Sequence, residues 1–157
     1  MKQPFDEDKP QLINRNKRAY HEYEILERLE CGIELCGSEV KSIRNKNISF
    51  ADSYCVVTNG ELYVIGLHIA EYKMANRFGH EMTAKRKLLA HRRQIRKLAK
   101  SVEMKGMTLV PLSIYFLRGW CKCEIGLARG KREFDKRETI KRRESDREMS
   151  RAKLKLR

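Results

Sequence analysis

The sequence predicts a mainly β domain with helices, in which antiparallel strands form a small barrel and a basic tail follows. One long alternating segment and two hairpins supply the strands. One amphipathic helix separates the hairpins, and the composition changes after Gly130. Closing a sheet into a barrel removes exposed edges, which favours this architecture for several short antiparallel strands.

The composition suits one compact domain with an appendage. The chain has 157 residues, of which 41% are hydrophobic, enough for a single core. No run of about 18 apolar residues is present, so we expect no membrane partner. The first residues, MKQPFDEDKPQ, lack the apolar centre of a secretory signal. We therefore expect a cytoplasmic protein that is a monomer when free.

The first long strand follows a polar segment with two prolines, residues 1–13, which we expect to be a flexible N-terminus. Residues 23–36 alternate between apolar and polar side chains, a pattern typical of a half-buried strand, with a bend at Gly32. The apolar parity comprises Tyr23, Ile25, Leu29, Cys31, Ile33 and Leu35. Residues 38–45 predict a short helix with Ser38 as its N-cap.

Two hairpins are predicted around two-residue turns. Their strands are 53–58 with 61–66, turning at Asn59-Gly60, and 108–117 with 120–128, turning at Arg118-Gly119. Asn-Gly is the strongest signal for such a turn because both positions need positive φ. In the second hairpin we expect Pro111 at an edge or bulge.

The positive charge is concentrated in two segments. The net charge of the chain is +14, and residues 85–105 contain nine lysines and arginines against one acid. Residues 129–157 contain thirteen against six, and the rest of the chain sums to −1. A near-neutral body with two basic segments predicts a polyanionic partner, usually RNA or DNA.

The first basic segment predicts one helix over residues 85–104, ending at Gly106. Its apolar stripe is Leu88, Ile95, Leu98 and Val102. A merely soluble face would mix signs, but the only acid here is Glu103, so contact with phosphates is the favoured hypothesis. The candidate RNA-binding residues of this helix are Arg86, Lys87, Arg92 and Arg93.

The second basic segment, residues 131–157, predicts a tail. It contains no glycine or proline, and its few apolar residues are too badly spaced to form a core alone. Helix-forming residues are abundant, so we expect a segment that is disordered when free and helical against an anionic surface. A solvated helix docked on the body is the alternative.

These elements divide the chain into a flexible N-terminus (1–13), a barrel domain (14–130) and a basic tail (131–157). The oligonucleotide-binding (OB) architecture fits this order of strands and helix. A β-sandwich also fits the pattern alone.

No catalytic, cofactor or metal site is predicted. None of the motifs GxGxxG, P-loop, HExxH or GxSxG occurs. The cysteines are odd in number, and their only close pair, Cys121-Lys-Cys123, lacks the two-residue gap of zinc knuckles. The four histidines show no metal spacing among themselves. We expect reduced cysteines, no metal, no cofactor and no enzymatic activity.

Four stretches of the chain carry a resemblance to a known family. They are NRNKRAYHEYEILERLECGIELCGSEVKSIR, DSY, RKLLAHRRQI and GLARGKREFDKRETIKRRE. From about residue 14 to about residue 148 the chain closely resembles the SsrA-binding protein family, also called small protein B.

The resemblance implies an OB-like closed barrel of about six antiparallel strands with helices beside it. It implies binding to the tRNA-like domain of transfer-messenger RNA (tmRNA), the SsrA RNA, and a role in trans-translation, the rescue of stalled ribosomes. It also implies that the tail enters the decoding centre and the mRNA channel of the small ribosomal subunit and becomes helical there.

The resemblance also implies roles for individual residues. The positions that match the family's tmRNA-binding residues are Asn16, Lys17, Arg18, Glu30, Leu89 and Lys122. The matching ribosome-binding residues of the tail are Gly130, Lys131, Asp135, Lys136 and Arg137. Phe134 departs from the family pattern, since a histidine or another stacking or polar residue is common there. For Leu89 a core position and RNA contact are equally compatible with the sequence.

Two other functions are compatible with the composition. One is a generic OB-fold protein that binds ribosomal RNA, such as a ribosomal protein. The other is a metal-dependent nuclease, which would need paired carboxylates at a metal ion.

Overall fold

A computed structural model describes residues 8–73, 80–104 and 106–156 of the chain, apart from the side chains of residues 133–135. The strands are β1 (Gln11–Arg15), β2 (Tyr23–Ile33), β3 (Ile48–Ser49), β4 (Tyr54–Thr58), β5 (Glu61–Ile65), β6 (His68–Ile69), β7 (Arg86–Leu89), β8 (Met107–Leu117) and β9 (Trp120–Gly130). The helices are α1 (Lys17–Glu22), α2 (Gly37–Arg44), α3 (Arg92–Glu103) and α4 (Glu133–Lys155). The predicted class, mainly β with helices, is confirmed.

Seven strands form one antiparallel sheet in the order β1-β8-β4-β5-β7-β2-β9, and β9 also pairs with β8. The ladder between β2 and β9 runs from Tyr23 opposite Gly130 to Gly32 opposite Lys122. Strands β3 and β6 form a separate two-stranded sheet. The long strands β2, β8 and β9 therefore lie side by side and present one extended surface.

Both predicted hairpins are present, as β4–β5 and β8–β9. Asn59 and Gly60 have φ values of 52° and 77°, and Arg118 and Gly119 have 50° and 79°. Positive φ at both central residues twists the turn in the sense that the flanking strands require.

Two irregularities lie in the long strands. In β8 the register shifts between Pro111 and Ser113, so of the two predicted positions for Pro111, an edge or a bulge, the structure shows the bulge. In β2 the register shifts just after Ile25, rather than at the predicted bend at Gly32. Gly32 instead permits a close approach between strands, because a Cβ added there would lie 3.2 Å from the Cβ of Leu89.

The predicted single helix over residues 85–104 is wrong. Residues 86–89 form β7, which pairs with β5 on one side and with β2 on the other. Arg86 and Leu88 are buried while Leu89 is exposed, which is the two-residue period of a strand. The helix α3 begins only after His91, where the backbone N–H of His91 donates to the side chain of Gln94.

Two smaller expectations also differ from the structure. The predicted N-cap Ser38 lies inside α2, and Cys36 is the N-cap residue. Residues 11–13, placed in the flexible N-terminus, belong to β1, which pairs with β8. A five-residue stretch whose only apolar residues are Leu12 and Ile13 carries little strand signal of its own, so pairing with β8 accounts for its conformation.

The main core is formed by the inward-facing side chains of the strands, and α3 packs on it through Ile95 and Leu98. A second, smaller cluster lies under α1, where Ala19 packs against Val110, Leu112 and Ala128 of β8 and β9. The helix α1 therefore covers one end of the surface formed by β2, β8 and β9. None of the helices in the described part of the chain is long and apolar enough to cross a membrane.

Most of the predicted tail is helical in the structure, as α4. Lys131 connects its first turns to α1, because its Nζ donates to the carbonyl of Tyr20 at 3.0 Å and to Thr139 Oγ1 at 2.9 Å. Every described side chain of α4 is exposed or half-buried. Its disorder in the free protein stays a prediction.

Candidate nucleic-acid interface

Asn16 fixes the start of α1 on β8. Its side-chain oxygen accepts from the backbone N–H of Ala19 at 3.2 Å, and its Nδ2 donates to the carbonyl of Pro111 at 2.8 Å. Its backbone N–H donates to the carbonyl of Leu112 at 2.7 Å. The predicted RNA-binding residue Asn16 therefore acts as an N-cap that positions its neighbours Lys17 and Arg18.

Beside α1, cationic side chains line a cavity of about 420 Å³. Its lining residues are Arg15, Lys17, Tyr20, Arg28, Arg143 and Arg147. They come from β1, α1, β2 and α4, four elements that only the fold brings together. The guanidinium of Arg28 lies over the ring of Tyr20, 5.4 Å from its centroid. Positive charge next to an aromatic face is suited to a phosphate and an adjoining base.

The predicted residue Arg18 is exposed on the other side of α1. Its Nε donates to Glu22 Oε1 at 2.8 Å, an i,i+4 ion pair. The hydrogen bond raises the pKa of Arg18 and lowers that of Glu22. The pair is exposed, so a phosphate can compete with Glu22 for the guanidinium at little cost.

Glu30 lies on the extended surface of β2, β8 and β9. It is opposite Glu124 in the ladder, and its Oε2 accepts a hydrogen bond from the hydroxyl of Tyr115. Burial, and then the hydrogen bond to Glu30, raise the pKa of Tyr115 well above its usual range. Tyr115 therefore stays a neutral donor that orients Glu30, whose remaining lone pairs can accept from base amino groups.

Lys122 is half-buried on β9, where it lies opposite Gly32 of β2 and Tyr115 of β8. It is two residues from Glu124, on the same side of the strand. Trp120, two residues in the other direction, is 73% exposed. The exposed indole of Trp120, the cation of Lys122 and the carboxylate of Glu124 therefore follow one another along one side of β9, and Glu30 of β2 lies opposite Glu124.

The residues assigned to a basic helix do not form one cluster. Arg86 is 3% exposed and its guanidinium is fully engaged inside the protein. Nε donates to Glu39 Oε1 at 3.1 Å, Nη1 to the carbonyls of Leu67 and Ala84, and Nη2 to those of Glu81 and Met82. The structure argues against the predicted contact of Arg86 with RNA, because the side chain is buried and all its donors are engaged by Glu39 of α2 and by loop carbonyls.

The other three predicted residues of this segment reach the surface. Lys87 forms an ion pair with Glu61, with Nζ 3.2 Å from Oε2, and this hydrogen bond raises its pKa. Arg92 and Arg93 are exposed in the first turn of α3. Leu89 is 47% exposed at the end of β7, so it is not a core residue.

In the tail segment, Gly130 is the last residue of β9 and lies opposite Tyr23. Lys131 is tied to α1 as described above, while Lys136 is half-buried and Arg137 exposed in the first turns of α4. The side chain of Asp135 lies outside the described residues, as does that of Phe134.

Comparison with known proteins decides the family. Residues 13–155 match the family model described as "SmpB protein". The chain belongs to the SmpB family. The resemblance seen in the sequence is confirmed.

Curated members of the SmpB family are similar to this chain over most of their length. The chain is 51% identical over 145 residues to the SsrA-binding protein of Gloeothece citriformis, covering 92% of this chain and 94% of that protein. It is 50% identical over 141 residues to that of Syntrophotalea carbinolica, covering 90% and 94%. With that of Levilactobacillus brevis the identity is 46% over 140 residues, covering 89% of each.

A solved SmpB structure is also similar to this chain. It is described as "tmRNA-SmpB: a journey to the center of the bacterial ribosome" and shares 47% sequence identity with this chain at a TM-score of 0.66. The match covers 81% of this chain and 93% of that one. The fold of this chain is therefore that of an SmpB.

Sequence reasoning missed several residues of this SmpB surface. Tyr115 carried no signal, because only the register of three strands brings it to Glu30. Arg28 carried none, because its contact with Tyr20 depends on how α1 packs beside β2. Trp120 did carry a sequence signal, since it lies on the same side of β9 as Lys122.

One further group of side chains could hold a metal ion. The ligand atoms of Cys36, Glu39 and His80 all lie within 4.8 Å of one another. No spacing rule could have found this group, because His80 comes from a different part of the chain. In the sequence these residues gave no indication of a metal site.

Proposed function

We propose that this chain binds the tRNA-like domain of tmRNA and delivers it to stalled ribosomes for trans-translation. The observation that carries the proposal is the 47% identity to the SmpB chain of the tmRNA-SmpB structure, over 93% of that chain. The placement of Glu30 and Lys122 on the adjacent strands β2 and β9 supports it. Because the function is on the ribosome, the proposal also places the protein in the cytoplasm and assigns it no cofactor and no catalytic step.

Two parts of the surface act on the RNA in different ways. The cationic cavity with Lys17 and Arg28 neutralises phosphates, a contact that holds any RNA backbone. The group on the outer side of the strands, with Glu30 and Lys122, discriminates among bases, because a carboxylate accepts only from donors such as amino groups. Leu89 adds an apolar contact at the end of β7. Together these contacts favour one folded RNA over bulk RNA.

We infer further that the sheet is an OB-like closed barrel. The pairings run from β8 through β4, β5, β7 and β2 to β9, and β9 pairs again with β8. This circuit leaves β1 as an added strand on the part of β8 around Ser113–Phe116. A closed circuit holds β2, β8 and β9 rigidly, which fixes the relative positions of Glu30, Tyr115 and Lys122.

The tail is the second binding element of the proposal. It enters the decoding centre and the mRNA channel of the small ribosomal subunit through Lys131, Lys136 and Arg137, with Asp135 and Gly130 in the same motif. Its described side chains bury little against the body, so few contacts resist its departure from α1. We propose that it is disordered in the free protein and helical on the ribosome.

The proposal is tested by sequencing the RNA that co-purifies with the full chain. We expect one dominant species, tmRNA, and retention of that species in competition with excess ordinary tRNA. Bulk ribosomal RNA, or equal competition by tRNA, would instead favour a generic OB-fold ribosomal-RNA-binding protein. The variant Lys122→Ala should lose the enrichment of tmRNA, whereas Lys73→Ala, at an exposed position remote from the strands β2 and β9 in the sequence, should keep it.

A further inference from the structure

Three side chains with different ligand atoms meet at the N-terminus of α2. Cys36 is the N-cap residue, Glu39 lies in the first turn, and His80 lies in the segment before β7. The Sγ atom, a carboxylate oxygen and a ring nitrogen all lie within 4.8 Å of one another. Sulfur, nitrogen and oxygen ligands in one cluster are the set that Zn²⁺ prefers among the common divalent ions.

His80 is already oriented as a metal ligand. Its Nε2 donates to the carbonyl of Ile69 at 3.0 Å, because a carbonyl can only accept. In the neutral ring the lone pair is then on Nδ1, the nitrogen that faces the cluster and accepts from Ser38 Oγ at 2.8 Å. Histidine ligands normally donate their second nitrogen to a carbonyl or carboxylate in this way.

Glu39 is held in place by two contacts. Its Oε2 accepts from the backbone N–H of Cys36 at 3.2 Å, and its Oε1 accepts from Arg86 Nε at 3.1 Å. Each oxygen keeps a further lone pair for an ion. Since the side chain of Glu39 is only 8% exposed, it cannot turn away into solvent. The hydrogen bond from Arg86 orients the carboxylate of Glu39, and the positive charge of Arg86 lowers the affinity of the site for a cation.

Cys36 gives an ion access to the site. It is exposed, and its Sγ lies 3.3 Å from Ser38 Oγ, which stands between the sulfur and His80. The other thiols are poor competitors for a metal, because burial raises the pKa of Cys31 and of Cys121 to about 12 and so disfavours the thiolate that binds metals.

We propose that Cys36, Glu39 and His80 form a zinc site that fastens the N-terminus of α2 to the segment preceding β7. The fourth position is filled by the Ser38 hydroxyl or by water. On binding, the thiol of Cys36 forms a bond from its sulfur to Zn²⁺ and releases one proton to solvent. The thiolate and the carboxylate supply two negative charges to the ion, and Glu39 shares its charge with Arg86. The ion thereby joins residues that are far apart in the sequence, such as Ser38 and His80, which are 42 positions apart. This link stabilises the folded state.

The experiment uses the full chain, purified and treated with a chelator, with Co²⁺ as the spectroscopic probe and Zn²⁺ as the competitor. We expect one Co²⁺ per chain, with a sulfur-to-metal charge-transfer band and the visible bands of tetrahedral Co²⁺, both removed by one equivalent of Zn²⁺. Cys36→Ser should abolish the charge-transfer band. His80→Gln should lower the affinity at least about tenfold.

Matched controls separate this site from the other thiols and histidines. Cys121→Ser removes a half-buried thiol of β9, and His91→Gln changes an exposed histidine at the start of α3. Both should bind Co²⁺ like the unmodified chain. Zn²⁺ should raise the melting temperature of the unmodified chain and of both controls, but not that of Cys36→Ser.

Three results would overturn the proposal. One is the absence of a sulfur charge-transfer band in the unmodified chain. The second is a band that survives Cys36→Ser, and the third is a loss of binding in Cys121→Ser equal to that in Cys36→Ser.

Discussion

Replacing Arg86 by methionine should destabilise the fold without a direct effect on RNA binding. The guanidinium is 3% exposed, and its partner Glu39 has a side chain that is 8% exposed. Methionine fills a similar volume but leaves the carboxylate buried without a counter-charge. Breaking a buried ion pair by removing one partner costs about 3–5 kcal/mol.

The remaining contacts of Arg86 decide where in this range the loss should fall. The carbonyl of Leu67, which accepts from Nη1 at 2.7 Å, is buried and loses its hydrogen-bond partner. The carbonyls of Ala84, Glu81 and Met82 lie in partly buried positions, so water can replace the guanidinium there. We therefore expect a loss of about 4 kcal/mol, a large fraction of the 5–15 kcal/mol typical of such domains.

The assay is urea unfolding followed by circular dichroism, with the free energy of unfolding extrapolated to water. Arg96→Met, an exposed position of α3, is the control and should change stability by less than about 0.5 kcal/mol. Adding Glu39→Gln to Arg86→Met should restore part of the loss, because it removes the unpaired charge. A loss below about 1 kcal/mol in Arg86→Met, the range of an exposed pair, would refute the reasoning.

RNA binding gives a second measurement on the same variant. At a temperature where Arg86→Met is still folded, its affinity for tmRNA per folded molecule should equal that of the unmodified chain. A loss of about 1–3 kcal/mol of binding free energy would mean that Arg86 contacts a base or phosphate after all.

Four further outcomes are expected. Glu30→Ala and Lys122→Ala should each weaken tmRNA binding by roughly 1–3 kcal/mol with the melting temperature nearly unchanged; equal affinities at fixed salt would contradict the assignment. Deleting residues 131–157 should spare tmRNA affinity but abolish peptide tagging in a reconstituted translation system, and tagging by the truncated chain would refute the division into two binding elements. At pH 8 a disulfide reagent should modify the exposed Cys36 well before the buried Cys31. Burial raises the pKa of Cys31 to about 12, so almost none of its thiol is ionised at pH 8. A synthetic peptide of residues 131–157 should show little helical circular dichroism in buffer, whereas a strongly helical peptide would contradict folding on the ribosome.

The local elements of the fold were predictable from the sequence. The Asn59-Gly60 turn and the bulge at Pro111 follow from backbone rules that act within a few residues. The alternation of residues 23–36 located β2 because one side of that strand faces the core. The turn, the bulge and the alternation each depend only on residues that are close together in the sequence.

The helix predicted over residues 85–104 was wrong because the side-chain periods of a strand and of a helix follow each other within this segment. Leu88, Ile95 and Leu98 suit a helix, and the local residues form helices well, but Leu88 belongs to a strand whose partners β5 and β2 come from distant parts of the chain. Tertiary pairing overrode the local preference. The burial of Arg86 depends on other long-range contacts, because the carboxylate and the carbonyls that accept from it come from α2 and from the loops around Leu67 and Met82.

The residues of the candidate site also divide into those that the sequence indicated and those that only the fold brings together. The resemblance supplied Glu30 and Lys122, while Tyr115 required the register of three strands and Arg28 required the packing of α1 beside β2. The group of Cys36, Glu39 and His80 required the loop before β7 to return to the start of α2, a path that no pattern in the sequence indicates.

The direct continuation of β9 into α4 has a mechanical consequence. Only two residues separate Gly130 from the first residue of α4, so the direction in which the chain leaves the last strand governs where the helix points. A helix of 23 residues is about 34 Å long at 1.5 Å per residue, comparable to the width of the domain itself. A small rotation at Lys131 therefore moves the far end of α4 through many ångströms while the strands β2, β8 and β9 stay still.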